Sequence, residues 1–452
     1  MTAAAGAARS DLRTSHWLVA AALAVVALVA ADSWRQQAGE VVAAAPFSPA
    51  QLRPGVGPAN FAAALADAER EVAGAAVNLD RHPGEWLRME QAARAFMARY
   101  RLTGSAADLA EADRILDRAM ELAPWPAGPV LSRAAVSLAA HDLAGAERAL
   151  DRFEAWATPA PAGERAEARS MRCEIAYQRG LLTEARRLCG EGDDLSLQMR
   201  QANIAAKSGN TASAAGLIET LLRRPGQSPQ TLATLALQRA SVALARGDWR
   251  EAGRWARAAE RLFPGYWLSE AFVAQQFALE GDREEARRRY AALADRTGDA
   301  EVLDALARLA MADGRAEQAS RWAERAGAAW QARSAKLPLA YASHFSEHLL
   351  SNGNSQAALD LAGADYRRRP HPATIVHYAM ALWRSGEPEQ ALEVVRKGEA
   401  LGFLTGDMKL AEASALGALG RAAEAGEALA EARRLNPRID SFRQQFVAFA
   451  QD

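Results

Sequence analysis

The sequence has little of what marks most enzymes and nucleic-acid-binding proteins. Among its 452 residues there are 2 cysteines, Cys173 and Cys189. No C-x-x-C redox pair or C-x-x-C-H haem-attachment motif is therefore available. Charge of one sign is also missing: 54 Lys and Arg face 55 Asp and Glu. That balance excludes a strongly basic nucleic-acid binder and an acidic disordered tail. Runs of Val, Ile and Thr are nearly absent, and so is the apolar/polar alternation of half-buried strands. Eighteen prolines and 32 glycines are ordinary numbers and exclude collagen-like or low-complexity architectures. There is no phosphate-binding glycine loop and no G-x-S-x-G elbow. Half of the residues are hydrophobic, many of them alanine, which points to a core built by close helix packing. The length allows two to four compact domains or one long repeat array.

The N-terminal segment sets the expected compartment. Residues 17–34 carry an uncharged stretch from Trp17 to Ala31, followed by Asp32, Ser33 and Trp34. A spanning helix takes about 20 apolar residues and a signal-peptide core about 7–15, so the segment reads as a transmembrane anchor or a signal peptide. Val29-Ala30-Ala31 offers small residues where a cleavage site would need them. Arg9 and Arg13 precede the segment, which places residues 1–16 in the cytoplasm and exports the chain beyond the segment. Residues 35–58 read as a linker, with Arg53-Pro54-Gly55-Val56-Gly57-Pro58 rich in breakers.

From residue 59 one pattern recurs: a helix, a glycine with a polar neighbour, then Glu-Ala or Gln-Ala opening a second helix. Gly180, Gly209, Gly247, Gly281, Gly314, Gly353, Gly386 and Gly420 mark the turns, at separations of 29, 38, 34, 33, 39, 33 and 34. His141-Asp142 holds the same turn one repeat earlier. Glycine takes the left-handed cap conformation freely, alanines let helix axes approach, and proline ends a helix. The unit Thr234–Pro264 carries these signals together: Ala240, Gly247-Asp248-Trp249, Ala252, Ala259 and Pro264. Ala413, Gly420, Ala425, Ala432 and Pro437 repeat the frame, whereas Gly398 and Phe403 depart from it. A period near 34 resembles the tetratricopeptide repeat (TPR) family over most of the chain. The resemblance implies an all-α solenoid, a right-handed superhelix of about ten antiparallel helix pairs over residues 59–440. Residues 441–452 are expected to form a capping helix, and Asn60–Leu79 is a candidate cap for the other end.

In TPR proteins the first helix of each pair lines a concave groove. Aligned on the turn glycines, the resemblance assigns Arg200, Asn203, Lys207, Gln238, Phe272, Gln275, Arg308, His344, Glu347, His377, Trp383 and Arg384 to that surface. Arg200, Asn203 and Lys207 resemble, within one repeat, the polar clamp that some TPR domains use on a peptide carboxylate. The mixture of aromatics, amides and arginines suits a protein or peptide ligand, not nucleic acid. His344-Phe345-Ser346-Glu347-His348 matches H-x-x-E-H, which on a helix would offer two imidazoles to zinc with Glu347 as general base. No partner motif for a third ligand follows, so no metal or other cofactor is assigned. Cys173 and Cys189 flank Gly180 at similar distances, on helix positions that face each other in TPR units. They are a candidate disulfide in an exported chain, or two packed thiols.

The expected function is a non-catalytic scaffold or adaptor of the bacterial envelope. It would be anchored by one inner-membrane helix, or periplasmic after cleavage, and would serve envelope assembly or exopolysaccharide export. The alternatives are a chaperone-like subunit for cytochrome c maturation and, in another class, a zinc-dependent hydrolase.

Overall fold

A computed structural model describes residues 47–449, apart from 157, 191 and 193. The 17–34 segment and its anchor or signal reading lie outside the described residues. The chain divides into two compact units, Met1–Gln51 and Leu52–Asp452. Of the first unit, the described part contains a short 3-10 turn, Pro49–Gln51.

The second unit is built from helices in an unbroken series. Helix α1 (Phe61–Arg81) leads into hairpins formed by α2 (Trp86–Thr103) with α3 (Ala106–Leu122), α4 (Val130–Ala139) with α5 (Leu143–Glu154), and α6 (Ala162–Gln178) with α7 (Leu182–Cys189). Next come α8 (Leu195–Lys207) with α9 (Thr211–Leu222), α10 (Pro229–Ala245) with α11 (Trp249–Leu262), and α12 (Trp267–Glu280) with α13 (Arg283–Thr297). The series closes with α14 (Ala300–Ala312) and α15 (Ala316–Lys336), α16 (Ala342–Ser351) and α17 (Ser355–Arg368), α18 (Pro372–Arg384) and α19 (Pro388–Ala400), and α20 (Gly406–Ala418) and α21 (Ala422–Leu435).

The Gly-plus-polar signature divides its work between the two helices it joins. The eight turn glycines all sit at positive φ, from 71° at Gly314 and Gly420 to 102° at Gly281. A side chain resists that conformation. The next residue often caps the second helix: Asn210, Asp248, Asp282 and Asn354 each accept a main-chain N–H of its first turn. Such caps satisfy a donor the helix start leaves open. In the earlier turn His141 takes the glycine's place at φ 59°, and Asp142 caps α5. The small residues of the repeat lie where helices touch: Ala240, Ala252 and Ala259 are buried.

The hairpins wind tightly enough for distant repeats to meet. The Phe61 N–H donates to Pro264 O at 3.0 Å, and Trp267 Nε1 donates to Leu102 O at 3.1 Å, 165 residues away. Further along, the Leu404 N–H donates to Lys207 O at 2.9 Å, and Phe403 packs edge-on against Tyr177 at 5.8 Å. One apolar cluster joins Cys173, Tyr177, Leu182 and Ile204 to Ile375, Leu382, Val395 and Phe403. The superhelix is thus stitched turn to turn, and this fixes the width of its inner face.

The expected capping helix at 441–452 is corrected by the structure within its described part. Phe442–Phe446 form one 3-10 turn capped by Ser441, Val447 is extended, and no regular element follows through Phe449. Phe446 and Phe449 are instead buried, and the segment runs onto α12 and α14, both first helices of their hairpins.

Candidate protein-binding groove

First helices alternate with second helices along the series, so their inner faces line one concave surface. Three cavities open along it among the described residues. One of about 290 Å³ is bordered by Met199, Asn203, Lys207, Gln238 and, from the far end of a superhelical turn, Asp407. A second, about 400 Å³, takes in Lys207, His344, Glu347, His377, Arg384 and Asp407. The third is smaller, about 150 Å³, between Glu301, Asp304, Arg308, His344 and Glu347. Residues of the 441–449 segment line parts of all three.

Most residues assigned to the groove from sequence border these cavities, and their neighbours explain their state. Arg308 Nη1 lies 3.4 Å from Glu347 Oε1, and His377 Nε2 lies 3.8 Å from Glu347 Oε2. His377 Nδ1 is buried without a hydrogen-bond partner among the described residues. Arg384 Nη1 donates to Leu350 O at 3.2 Å. The His344 ring stacks on Trp330, centroids 5.7 Å apart and 1° from parallel, and its Nδ1 lies 3.4 Å from Glu301 Oε1. Burial pushes the Glu301 carboxyl up to about 7, with His344 and Arg333 opposing.

Four of the assigned residues border none of the three cavities. Trp383 packs against the cluster that joins distant repeats and borders none of the three cavities. On α18 the inward stripe is Ala373, Val376, His377, Met380 and Arg384, and Trp383 falls one helical step to its side. Phe272 and Gln275 stand on the inner face but are 2% and 1% exposed, because the 441–449 segment covers them. Arg200 is engaged by its own neighbours. It pairs with Glu174 and donates from Nε to Ser170 Oγ at 2.8 Å. The clamp read from Arg200, Asn203 and Lys207 therefore has its arginine committed to the first helix of the preceding repeat.

The H-x-x-E-H segment lies on α16, yet its histidines face different carboxylates. His348 Nδ1 lies 2.7 Å from Asp304 Oδ1, with its other ring nitrogen against Gly327, where a Cβ would come within 3.0 Å. His344 faces Glu301. Among the described residues no group of three or more His, Cys, Asp or Glu is arranged to hold a metal ion. Glu301 and Asp407 were not assigned from sequence. Asp407 reaches the groove only because α20 is brought back beside α8, which no local periodicity announces.

Cys173 and Cys189 are joined across α6 and α7, with Cα atoms 5.7 Å apart. That separation lies in the ordinary range for a disulfide. Among the described residues no helix is long and apolar enough to cross a membrane.

No family model matches the sequence, and no curated protein is significantly similar to it. Repeated antiparallel hairpins, left-handed glycine turns and small residues at the helix contacts decide the architecture. The chain folds as a tetratricopeptide-type solenoid. Solved structures that resemble it include yeast Tom70, at 14% identity and TM-score 0.34 over 85% of this chain and 91% of that one. The Cut9–Hcn1 hetero-tetramer of the APC/C is similar at 13% identity and TM-score 0.36, over 87% and 93%. The P58(IPK) TPR domain is similar at 16% identity and TM-score 0.28, over 82% and 93%.

Proposed function

We propose that this chain is a non-catalytic scaffold that holds a protein or peptide partner in its concave groove. The observation that carries the reading is the pair of larger cavities, about 290 and 400 Å³. Both mix apolar walls with amide, guanidinium, ammonium and carboxylate groups, and the larger adds the imidazoles of His344 and His377. Side chains of both charges beside apolar surface suit the varied face of a polypeptide. The groups are presented on rigid helices, so recognition requires little ordering of the scaffold. The Cys173–Cys189 bond supports an oxidising compartment. With the uncharged 17–31 stretch, it supports a bacterial chain anchored in or exported across the inner membrane, serving envelope assembly or exopolysaccharide export.

The test is crosslinking and capture from the envelope fraction. The full chain is compared with a variant carrying Asn203→Ala, Lys207→Glu, His377→Ala and Arg384→Glu, whose helical signal and melting temperature match the parent. A partner held by the parent and lost by the variant is the expected result. Equal capture by both rejects the groove.

A further inference from the structure

The groove is partly filled by the chain's own polypeptide, and the manner of filling shows what it recognises. The Gln275 carboxamide grips main chain: Oε1 accepts the N–H groups of Ala448 at 2.6 Å and Phe449 at 2.7 Å. Its Nε2 donates to Phe449 O at 3.0 Å. The Phe449 ring enters a socket between Tyr290, stacked at 5.9 Å, and Phe272, tilted at 6.4 Å. Arg443 Nη1 fastens the segment upstream, donating to Leu279 O and Glu280 O, each at 3.2 Å.

From these contacts we infer that Gln275, Phe272 and Tyr290 form a binding subsite for a peptide main chain bearing an aromatic side chain. Ser441–Phe449 is its resident occupant, which an outside ligand must displace. The inference rests on the reading of the groove as a polypeptide-binding surface and names the chemistry of one part of it.

Three observations carry it. Gln275 is 1% exposed, yet its carboxamide is spent on main-chain groups of a separate segment. That arrangement reads backbone: it takes two successive N–H groups turned to one side together with the second residue's carbonyl. The segment is also held at few points. Phe446 and Phe449 are buried, Phe442 is 62% exposed, and cavities remain beside Gln444, Val447 and Ala448. Finally, the Tyr290 hydroxyl in the socket wall is buried with no hydrogen-bond partner among the described residues. Among the described residues Phe449 leaves that polar group unanswered. A ligand offering it an acceptor would hold the socket better than the resident segment does.

The probe is a fluorescent synthetic peptide of residues 438–449, titrated by anisotropy. It is added to the full chain, to a released variant (Phe446→Ala with Phe449→Ala), and to the released variant with Gln275→Leu. A tethered occupant competes at high effective concentration. The released chain is therefore expected to bind the peptide at least tenfold more tightly than the parent. Adding Gln275→Leu should reverse that gain, as should Ala for Phe449 in the peptide. Equal binding by parent and released chain overturns the inference, as does binding indifferent to Gln275. Should the released variant not fold, amide hydrogen exchange on the otherwise intact Gln275→Leu chain decides. Residues 448 and 449 should exchange at least tenfold faster while the helices keep their protection, and unchanged rates overturn the subsite. Partner capture by the groove variant reports separately on the broader function. Partner loss there, with no peptide binding here, removes the subsite alone. Peptide binding here, with unaltered capture there, removes the proposed scaffold surface alone.

Discussion

Arg369 and Gln178 are 191 residues apart in sequence, and Arg369 Nη1 donates to Gln178 Oε1 at 3.2 Å. The same guanidinium holds Asp365 through Nε at 3.0 Å and Nη2 at 2.7 Å, and Ser343 Oγ donates to that carboxylate at 2.7 Å. Burial works against the Asp365 charge, but Arg369 outweighs it and holds the carboxyl down to about 2. The group is ionised, and its stabilising share is complete above the ordinary carboxylate range and lost as pH falls through 2. Arg369→Ala leaves a buried carboxylate uncompensated and should cost about 3–5 kcal/mol at pH 7. Urea unfolding measures it. A loss no larger than that from the exposed Arg321→Ala would refute the assignment.

The Cys173–Cys189 bond closes a loop with a sequence separation of 16 residues around the Gly180 turn. Its main effect is on the unfolded chain, and for a loop of that size about 3 kcal/mol is expected. Denaturant unfolding with and without reductant should differ by that order. Cys173→Ser with Cys189→Ser should match the reduced parent and no longer respond to reductant. Persistence of the response in the double variant would disprove the source.

The repeat was legible because it rests on local physics. Glycine at a left-handed turn and a capping carboxylate beside it act over a few residues, so Gly247-Asp248 announces its hairpin without help from elsewhere. Lys207, His344, His377 and Arg384, assigned to the groove from the repeat register, border the cavities. What lay hidden depends on the winding of the superhelix. Asp407 enters the cavity of Lys207 from a repeat far along the chain. Phe272 and Gln275 are covered by the 441–449 segment, which carries no repeat signal. Arg200 is lost to recognition through Glu174 on the neighbouring first helix, a pairing that spacing within one repeat cannot reveal.

Glu301 gives the groove a pH dependence with a definite sign. Its folded-state carboxyl is pushed up to about 7, chiefly by burial, with Asp299 and Glu347 adding to the rise and His344 and Arg333 opposing it. The folded state therefore binds this proton more firmly than the unfolded chain does. Stability from this group is present below the ordinary glutamate value of 4.5 and is lost as pH rises through about 7. The slope is at most about 1.4 kcal/mol per pH unit. Glu301→Gln, which stays neutral, should gain on the parent between pH 5 and 8 in thermal unfolding. A difference constant across that range would show that Glu301 titrates normally.

The departures from the repeat consensus should mark contacts made by the superhelix rather than lapses in the pattern, and Gly398 tests this. Its position in the repeat calls for alanine. A Cβ at 398 would lie 2.6 Å from Ile375 Cδ1 and 2.9 Å from Met408 Cε, in the cluster where Phe403 meets Tyr177. In an open helix, glycine to alanine gains up to about 1 kcal/mol. Gly426 in α21 is such a site, with nothing within 4 Å of an added Cβ, and Gly426→Ala should raise the urea midpoint accordingly. Gly398→Ala should lower it, by about 1–3 kcal/mol, because the crowded side chains have to shift to admit one carbon. Opposite signs for one substitution at two helical positions would show that packing between turns overrides helix propensity at 398. If both substitutions stabilise the chain, the neighbours of Gly398 yield easily, and its departure from the consensus has no packing cause.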